Sequence, residues 1–200
     1  MSSQPQTHLA AHLDGRVFQL GEADFAAEVE RASGANLAAC LQCGKCSSGC
    51  PVAARSNLRP HVLVRLVQLG QRDEVLSSRF IWECTSCQTC ITRCPQKVDV
   101  AAMNDALRRM SREAAMVFGE TTVPVFNDIF LRTIRRLGRM YEMGLMTSYK
   151  LRTGRLMADV DKFPMMLKKG KLALLPKKVR GAAERKKLFE RAGRAGGKKP

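Results

Sequence analysis

All eight cysteines of this 200-residue chain fall into two runs of one spacing. The first reads Cys40-Leu41-Gln42-Cys43-Gly44-Lys45-Cys46-Ser47-Ser48-Gly49-Cys50-Pro51, the second Cys84-Thr85-Ser86-Cys87-Gln88-Thr89-Cys90-Ile91-Thr92-Arg93-Cys94-Pro95, and both fit C-x2-C-x2-C-x3-C-P. Three thiolates spaced in this way can wrap a tight loop around three corners of an iron-sulfur cube, while the chain leaves too abruptly for the next cysteine to reach the fourth. The spacing is the ligand pattern of paired 4Fe-4S clusters, in which the fourth cysteine of a run serves the other cluster. The expected ligand sets are therefore Cys40, Cys43, Cys46 and Cys94 for one cluster, and Cys84, Cys87, Cys90 and Cys50 for the other. Small residues such as Gly44 and Ser86 let the backbone approach the cluster sulfurs, and the proline after each last cysteine fixes the chain's exit. Two other uses of thiols compete. Zinc ribbons favour separated C-x2-C pairs over three-pronged loops, and disulfides need an oxidising compartment for which the sequence has no signal.

Helices must hold these loops. Between the runs, Asn57-Leu58-Arg59-Pro60 opens a helix that Val62, Leu63, Leu66, Val67 and Leu69 continue to Gly70, and a second short helix is expected near Asp73 with Val75 and Leu76. After the second run, Val98 to about Ala115 repeats apolar residues at Val100, Met103, Leu107 and Met110. Before the first run, a short strand over Arg16 to Leu20 precedes a helix from Glu22 to Ala32 closed by Gly34. Further on, Phe126, Phe130, Ile134, Leu137 and Tyr141 form one stripe of an amphipathic helix beginning at Pro124, with Thr121 or Thr122 as its cap and Arg132, Arg135, Arg136 and Arg139 on another face. The expected class is all-α.

Few other residues invite a functional reading. His8 and His12 are four apart in a polar tail that reads as disordered. His61 at a helix start reads as structural or solvent-facing, and Trp82 as a packing residue. Lys45 and Arg93 sit inside the loops, where a cation could raise a reduction potential or simply be solvated. Met140, Met143, Met146, Met157, Met165 and Met166 form an adaptable cluster suited to a partner or to a core. The stretch from Lys168 onward is basic and poor in apolar residues, with a flexible end expected from Arg194 to Pro200.

Composition narrows the class. Hydrophobic residues are 45% with one Trp and two Tyr, so the core must be mainly aliphatic. The net charge of +16 is uneven: up to Val100 there are 10 Lys or Arg against 9 Asp or Glu, and beyond it 24 against 9. A basic half follows a nearly neutral half. No run approaches 18 apolar residues, and Met1 to Leu13 lacks the pattern of a secretory signal, so a cytoplasmic location is expected. There is no G-x-G-x-x-G behind a strand, no P-loop and no nucleophile-base set, so nucleotide binding and independent catalysis have little support.

The paired runs, separated by a helical pair, resemble the α-helical ferredoxin domain of succinate dehydrogenase iron-sulfur subunits and their relatives. The chain as a whole is similar to the iron-sulfur C subunit of heterodisulfide reductase, with Leu151-Arg152-Thr153-Gly154-Arg155-Leu156-Met157 and Lys171-Leu172-Ala173-Leu174-Leu175-Pro176 resembling that family's C-terminal extension. The resemblance implies two 4Fe-4S clusters on the eight motif cysteines and a role in electron transfer without a catalytic residue. It also implies two partner proteins, one flavin-containing and the other cysteine-rich and active on thiols and disulfides. The Cys-Cys-Gly motifs of that cysteine-rich partner do not occur here, and no cysteine precedes Cys40 to build a 2Fe-2S domain. Three regions are expected: an N-terminal segment (1–36), the α-helical ferredoxin domain (37–118) and a basic helical partner-binding extension (119–200). A membrane-associated redox adaptor, its arginine helix on anionic lipid with peripheral membrane contact, is the alternative. A nucleic-acid binder lacks a folded recognition motif and stacking aromatics, so no nucleic acid is expected.

Overall fold

A computed structural model describes residues 10–13, 16–116, 122–154, 165, 168–169, 175–177 and 179–195. Among the described residues the fold is all-α apart from one hairpin, β1 (Ala10–Leu13) paired antiparallel with β2 (Arg16–Gln19), in which His12 stands opposite Val17. Strand β2 matches the strand expected at Arg16, and His12, expected in a disordered tail, lies in β1. The chain divides into two compact units between residues 121 and 122.

The first unit is assembled around one short helix. After α1 (Phe25–Ser33) and α2 (Lys45–Ser48), α3 (Pro60–Gln68) begins with proline at its first position, where the missing N–H costs nothing. Val62, Leu63, Val64, Leu66 and Val67 are all buried, so α3 is apolar almost all round and forms the centre of the core. Short helices α4 (Arg72–Leu76), α5 (Phe80–Glu83) and α6 (Thr89–Arg93) lead to α7 (Val100–Glu113). The Asp99 carboxylate accepts from the Ala102 N–H at 2.9 Å and starts α7 there, two residues later than the apolar pattern at Val98 suggests. On the buried face of α7, Asn104 donates to the Ile81 carbonyl (2.9 Å) and Ser111 to the Leu76 carbonyl (2.9 Å), which ties α5 and α4 to it. Asn57 closes the other side: its Oδ1 accepts from Phe80 N–H and Ser78 Oγ. Helix α1 packs on α3 and α7, and Arg72 pairs with Glu28 at 2.5 Å while lying 5.1 Å over the Phe25 ring. That hydrogen bond from Arg72 holds the Glu28 carboxyl below its ordinary value.

One crossing admits only glycine. Gly21 N–H donates to Leu69 O (2.8 Å) and Glu22 N–H to Gly70 O (3.0 Å), so two backbones touch without a side chain between them. A Cβ on Gly70 would lie 2.6 Å from the Glu22 backbone nitrogen, and Gly70 also has φ of 70°. Gly34 has nearly the same φ, 71°, but nothing within 4 Å of a Cβ. Gly34→Ala should therefore cost about 1 kcal/mol, the left-handed penalty alone, while Gly70→Ala should cost about 3 kcal/mol or more. Denaturant unfolding of the two variants checks this, and equal losses would mean that the crossing can relax.

The second unit contains α8 (Val123–Leu137), α9 (Glu142–Thr153) and α10 (Ala182–Ala195). Thr122 is the N-cap residue of α8, though its side chain makes no capping bond and instead accepts from Tyr149 at 2.5 Å. Gly138, at φ 82°, ends α8 four residues short of the expected stripe, so Tyr141 stands outside it at the start of α9. The buried residues of α8 are Pro124, Ile129 and Leu137, whereas Phe126 is exposed and stacks on Phe130. The C-terminal carbonyls of α8 are met by α10, because Arg185 donates to the Arg135 carbonyl at 3.0 Å. Helix α10 runs through Arg194 to Ala195, where the sequence suggests a flexible end; residues 196–200 lie outside the described residues. Among the described residues no helix is long and apolar enough to cross a membrane.

Candidate metal centres

Each cysteine run folds as a loop followed by one helical turn. Helix α2 starts two residues after Cys43 and α6 two residues after Cys87, and the residue before each helix is left-handed: Gly44 (φ 72°) and Gln88 (φ 61°). A second left-handed residue comes two earlier, Gln42 (φ 55°) in the first run and Ser86 (φ 51°) in the second. Alternating backbone handedness curls the peptide N–H groups toward one side and makes a concavity that favours negative charge. Only one of the four positions is glycine, so Gln42, Ser86 and Gln88 each carry roughly 1–2 kcal/mol of strain that the surrounding structure must hold. Ser86 was readable as a small residue beside the cluster; the left-handed glutamines leave no trace in the spacing.

The loops close two small cavities. Cys40, Cys43, Cys46 and Cys94 line one, together with His61 and Val64; Cys50, Cys84, Cys87 and Cys90 line the other, with Phe80 and Ala101. Every cavity thus has three thiols from one run and the last thiol of the other. Val100 lines both, so a single side chain is common to their walls. All eight thiols are free, and among the described residues no Cys, His, Asp and Glu side chains group closely enough to hold one metal ion. Four soft thiol donors spread around a cavity suit a polynuclear iron-sulfur cluster better than a single zinc ion, and the free thiols argue against a disulfide framework.

The thiols differ in environment. Cys43 and Cys87, which hold the same place in the two runs, are exposed, and the other six are half-buried. Burial pushes the Cys46 and Cys84 thiols up and Cys90 to about 11, while the Thr89 hydroxyl beside exposed Cys87 lowers its value. Buried thiols of this kind lose their protons to metal binding, because the metal charge offsets the desolvation of the thiolate. Two N–H donors already face sulfur: Gln42 Nε2 lies 3.3 Å from Cys40 Sγ, and Val98 N–H is 3.3 Å from Cys94 Sγ. Such bonds stabilise thiolate charge and tune a cluster's potential.

The other singled-out residues divide. His61 lines the first cavity and holds Ser47 Oγ at 2.7 Å, so it is structural and adjacent to the centre at once. Lys45 lines the same cavity but is exposed; Arg93 is exposed and lies against Gly49, its counterpart in the other run. Trp82 is buried beneath Arg112, 5.4 Å from its ring, as a packing residue would be. Met140, Met143 and Met146 are half-buried and Met165 is exposed; His8, Met157 and Met166 lie outside the described residues. Arg108 was not visible as a site residue. It donates to the Ile81 carbonyl of α5 at 2.5 Å and, at the start of the second run, to the Cys84 carbonyl and to Ser86 Oγ at 3.4 Å.

Comparison with known proteins agrees with this geometry. Residues 36–98 match the family model of a 4Fe-4S dicluster domain, and the chain carries two 4Fe-4S clusters. It is similar to the C subunit of the H(2):CoB-CoM heterodisulfide,ferredoxin reductase of Methanothermobacter thermautotrophicus, 35% identical over 92 residues that make up 46% of this chain and 48% of that protein. It is likewise similar to the iron-sulfur C subunit of the CoB–CoM heterodisulfide reductase of Methanopyrus kandleri, 41% identical over 36% of this chain and 38% of that one. The C subunit of a ferredoxin:CoB-CoM heterodisulfide reductase of Methanosarcina mazei is 32% identical over 42% and 52%. The chain spans about half the length of the curated relatives it matches.

Proposed function

We propose that this chain is an electron carrier that passes single electrons between a flavin-bearing partner and a thiol/disulfide-active, cysteine-rich partner in a heterodisulfide-reductase-like complex. One cluster is held by Cys40, Cys43, Cys46 and Cys94 and the other by Cys84, Cys87, Cys90 and Cys50. The observation that carries this reading is the pair of four-thiol cavities with Val100 in both walls, which would set two one-electron centres side by side. When bound, each cluster supplies reversible one-electron chemistry at iron. The chain's own residues hold the clusters, exclude water from their inner faces and leave Cys43 and Cys87 at the surface, where a partner's redox group could approach each centre.

A partner grip is the proposed role of residues 122–200, which hold 21 Lys or Arg against 6 Asp or Glu. Their described surface exposes Phe126, Leu131, Leu151, Leu175, Val179 and Leu188. Ile129, Leu137 and Leu151 line a groove bordered by Arg132, Arg136 and Arg152. Apolar floor and cationic rim together favour an acidic amphipathic surface on a partner protein. The similarity to the C subunits of heterodisulfide reductases supports the choice of complex.

Reductive titration of the purified holoprotein tests the carrier role. It should take up about two electrons in all, one per cluster, with bleaching of its visible absorption, and should turn over no disulfide. Steady disulfide reduction by the isolated chain would overturn the assignment.

A further inference from the structure

The two halves of the cluster-bearing unit are built alike, and one difference between them concerns charge. Helices α3 and α7 each follow a cysteine run, and four equivalent pairs are buried in both: Pro60 and Val100, Leu63 and Met103, Leu66 and Ala106, Val67 and Leu107. His61 lines the cavity of the first run and its counterpart Ala101 that of the second. The ninth residue of each helix reaches back to the peptide carbonyl three residues before the first cysteine of its own run. In the first half this is Gln68, whose Nε2 donates to Leu37 O at 2.7 Å. In the second half it is Arg108, whose Nε donates to Ile81 O at 2.5 Å. A neutral amide in one half is replaced by a permanent cation in the other.

We propose that Arg108 is a positioning residue that makes the centre of Cys50, Cys84, Cys87 and Cys90 the higher-potential member of the pair, the site where a single electron rests. The inference rests on the two-cluster carrier reading above. Adding one electron to a cluster makes it more negative by one charge, so a nearby cation favours the reduced form. Arg108 is well placed to act, since it bonds the carbonyl of Cys84 itself and its side chain is only 24% exposed, which limits solvent screening. Asp105 pairs with it at 2.9 Å but is 52% exposed, so water screens the carboxylate more than the guanidinium. Four groups oppose the asymmetry: Lys45 and His61 line the first cavity, Arg65 donates to Gln68 Oε1 at 3.3 Å, and Glu83 next to Cys84 is a carboxylate offset by Arg79 at 2.8 Å. Lys45 is exposed, so water screens its charge, and the His61 ring is engaged by Ser47 Oγ at 2.7 Å.

The test is a redox titration of the isolated holoprotein, followed by electron paramagnetic resonance. Two one-electron steps of unequal potential are expected. Arg108→Gln should lower the upper step, reducing the preference of the electron for that centre by about ten-fold, and leave the lower step in place. Gln68→Arg should raise the lower step, and Arg108→Lys, which retains the charge, should keep most of the upper one. Iron content identifies variants that hold both clusters; if Arg108→Gln does not, Gln68→Arg and Arg108→Lys decide. Unmoved steps in fully loaded variants, both substitutions moving the same step, or Arg108→Lys behaving as Arg108→Gln would overturn the proposal. A wild-type protein without two clusters would instead overturn the carrier reading on which it rests.

Discussion

Replacing Cys94 with serine should remove the cluster of the first run while sparing that of the run in which Cys94 lies. Serine holds its proton far more tightly than a thiol and is a harder donor, so the cavity of Cys40, Cys43 and Cys46 would keep three good ligands. Iron content should fall by about half, to roughly four atoms, with one of the two reduced-cluster signals lost. Double variants identify which centre has gone. Adding Cys43→Ala to Cys94→Ser should cost no further iron, whereas adding Cys87→Ala should empty the protein, because independent losses add and shared ones do not. Cys50→Ser should give the mirror result. The arrangement behind this is the meeting of Cys94 with Cys40, Cys43 and Cys46 around one cavity, and of Cys50 with Cys84, Cys87 and Cys90 around the other. Since each cluster would then tie the two runs together, Cys94→Ser should also lower the unfolding midpoint of the whole first unit. Selective damage to the Cys84–Cys90 centre would mean that each run binds its own cluster.

Ending the chain after Thr121 should separate electron carriage from assembly. The break falls between the two compact units, and both four-thiol cavities belong to the first, so iron content and reductive bleaching should be unchanged. Partner binding should weaken by roughly 100-fold or more, since the proposed grip combines apolar burial with charge complementarity. Arg132→Glu with Arg136→Glu in the intact chain should weaken it less, and the loss should shrink as salt rises, because salt screens the charge but not the apolar floor of Ile129, Leu137 and Leu151. Co-purification from cells expressing the partner proteins reads the effect. A truncated chain that keeps its partner at unchanged affinity would sink the grip, and recovery of the intact chain on anionic vesicles without protein partners would favour the membrane-associated alternative.

The chain's amino acids determine a good deal alone. Ligand type and spacing are local properties, so eight thiols in two C-x2-C-x2-C-x3-C-P runs suffice to specify the number and kind of clusters, and the match of residues 36–98 to a 4Fe-4S dicluster domain agrees. Helix α3 was legible because Pro60 and Gly70 bracket an apolar stretch, and α7 because its period is regular. Helix α8 was legible only in outline: exposed Phe126 and buried Ile129 have similar transfer energies, and which of them is covered depends on the neighbours α8 meets. Short helices α2, α5 and α6 escaped periodicity because four or five residues make barely more than one turn, too little for a period to repeat.

Tertiary structure decided the rest, for one physical reason: these properties belong to pairs of segments far apart in the chain. Cys94 meets the first run and Cys50 the second only because α2 and α6 pack together beneath α3 and α7. Gln42 and Gln88 turn left-handed against their own preference because the closed loops demand it. Arg108, one of several arginines by composition, acquires its place from hydrogen bonds to Ile81 and Cys84, more than twenty residues away, and Gly70 its necessity from a crossing with Gly21 and Glu22. Spacing within a loop names the donors; the packing of one half against the other chooses their partners and sets the charge around them.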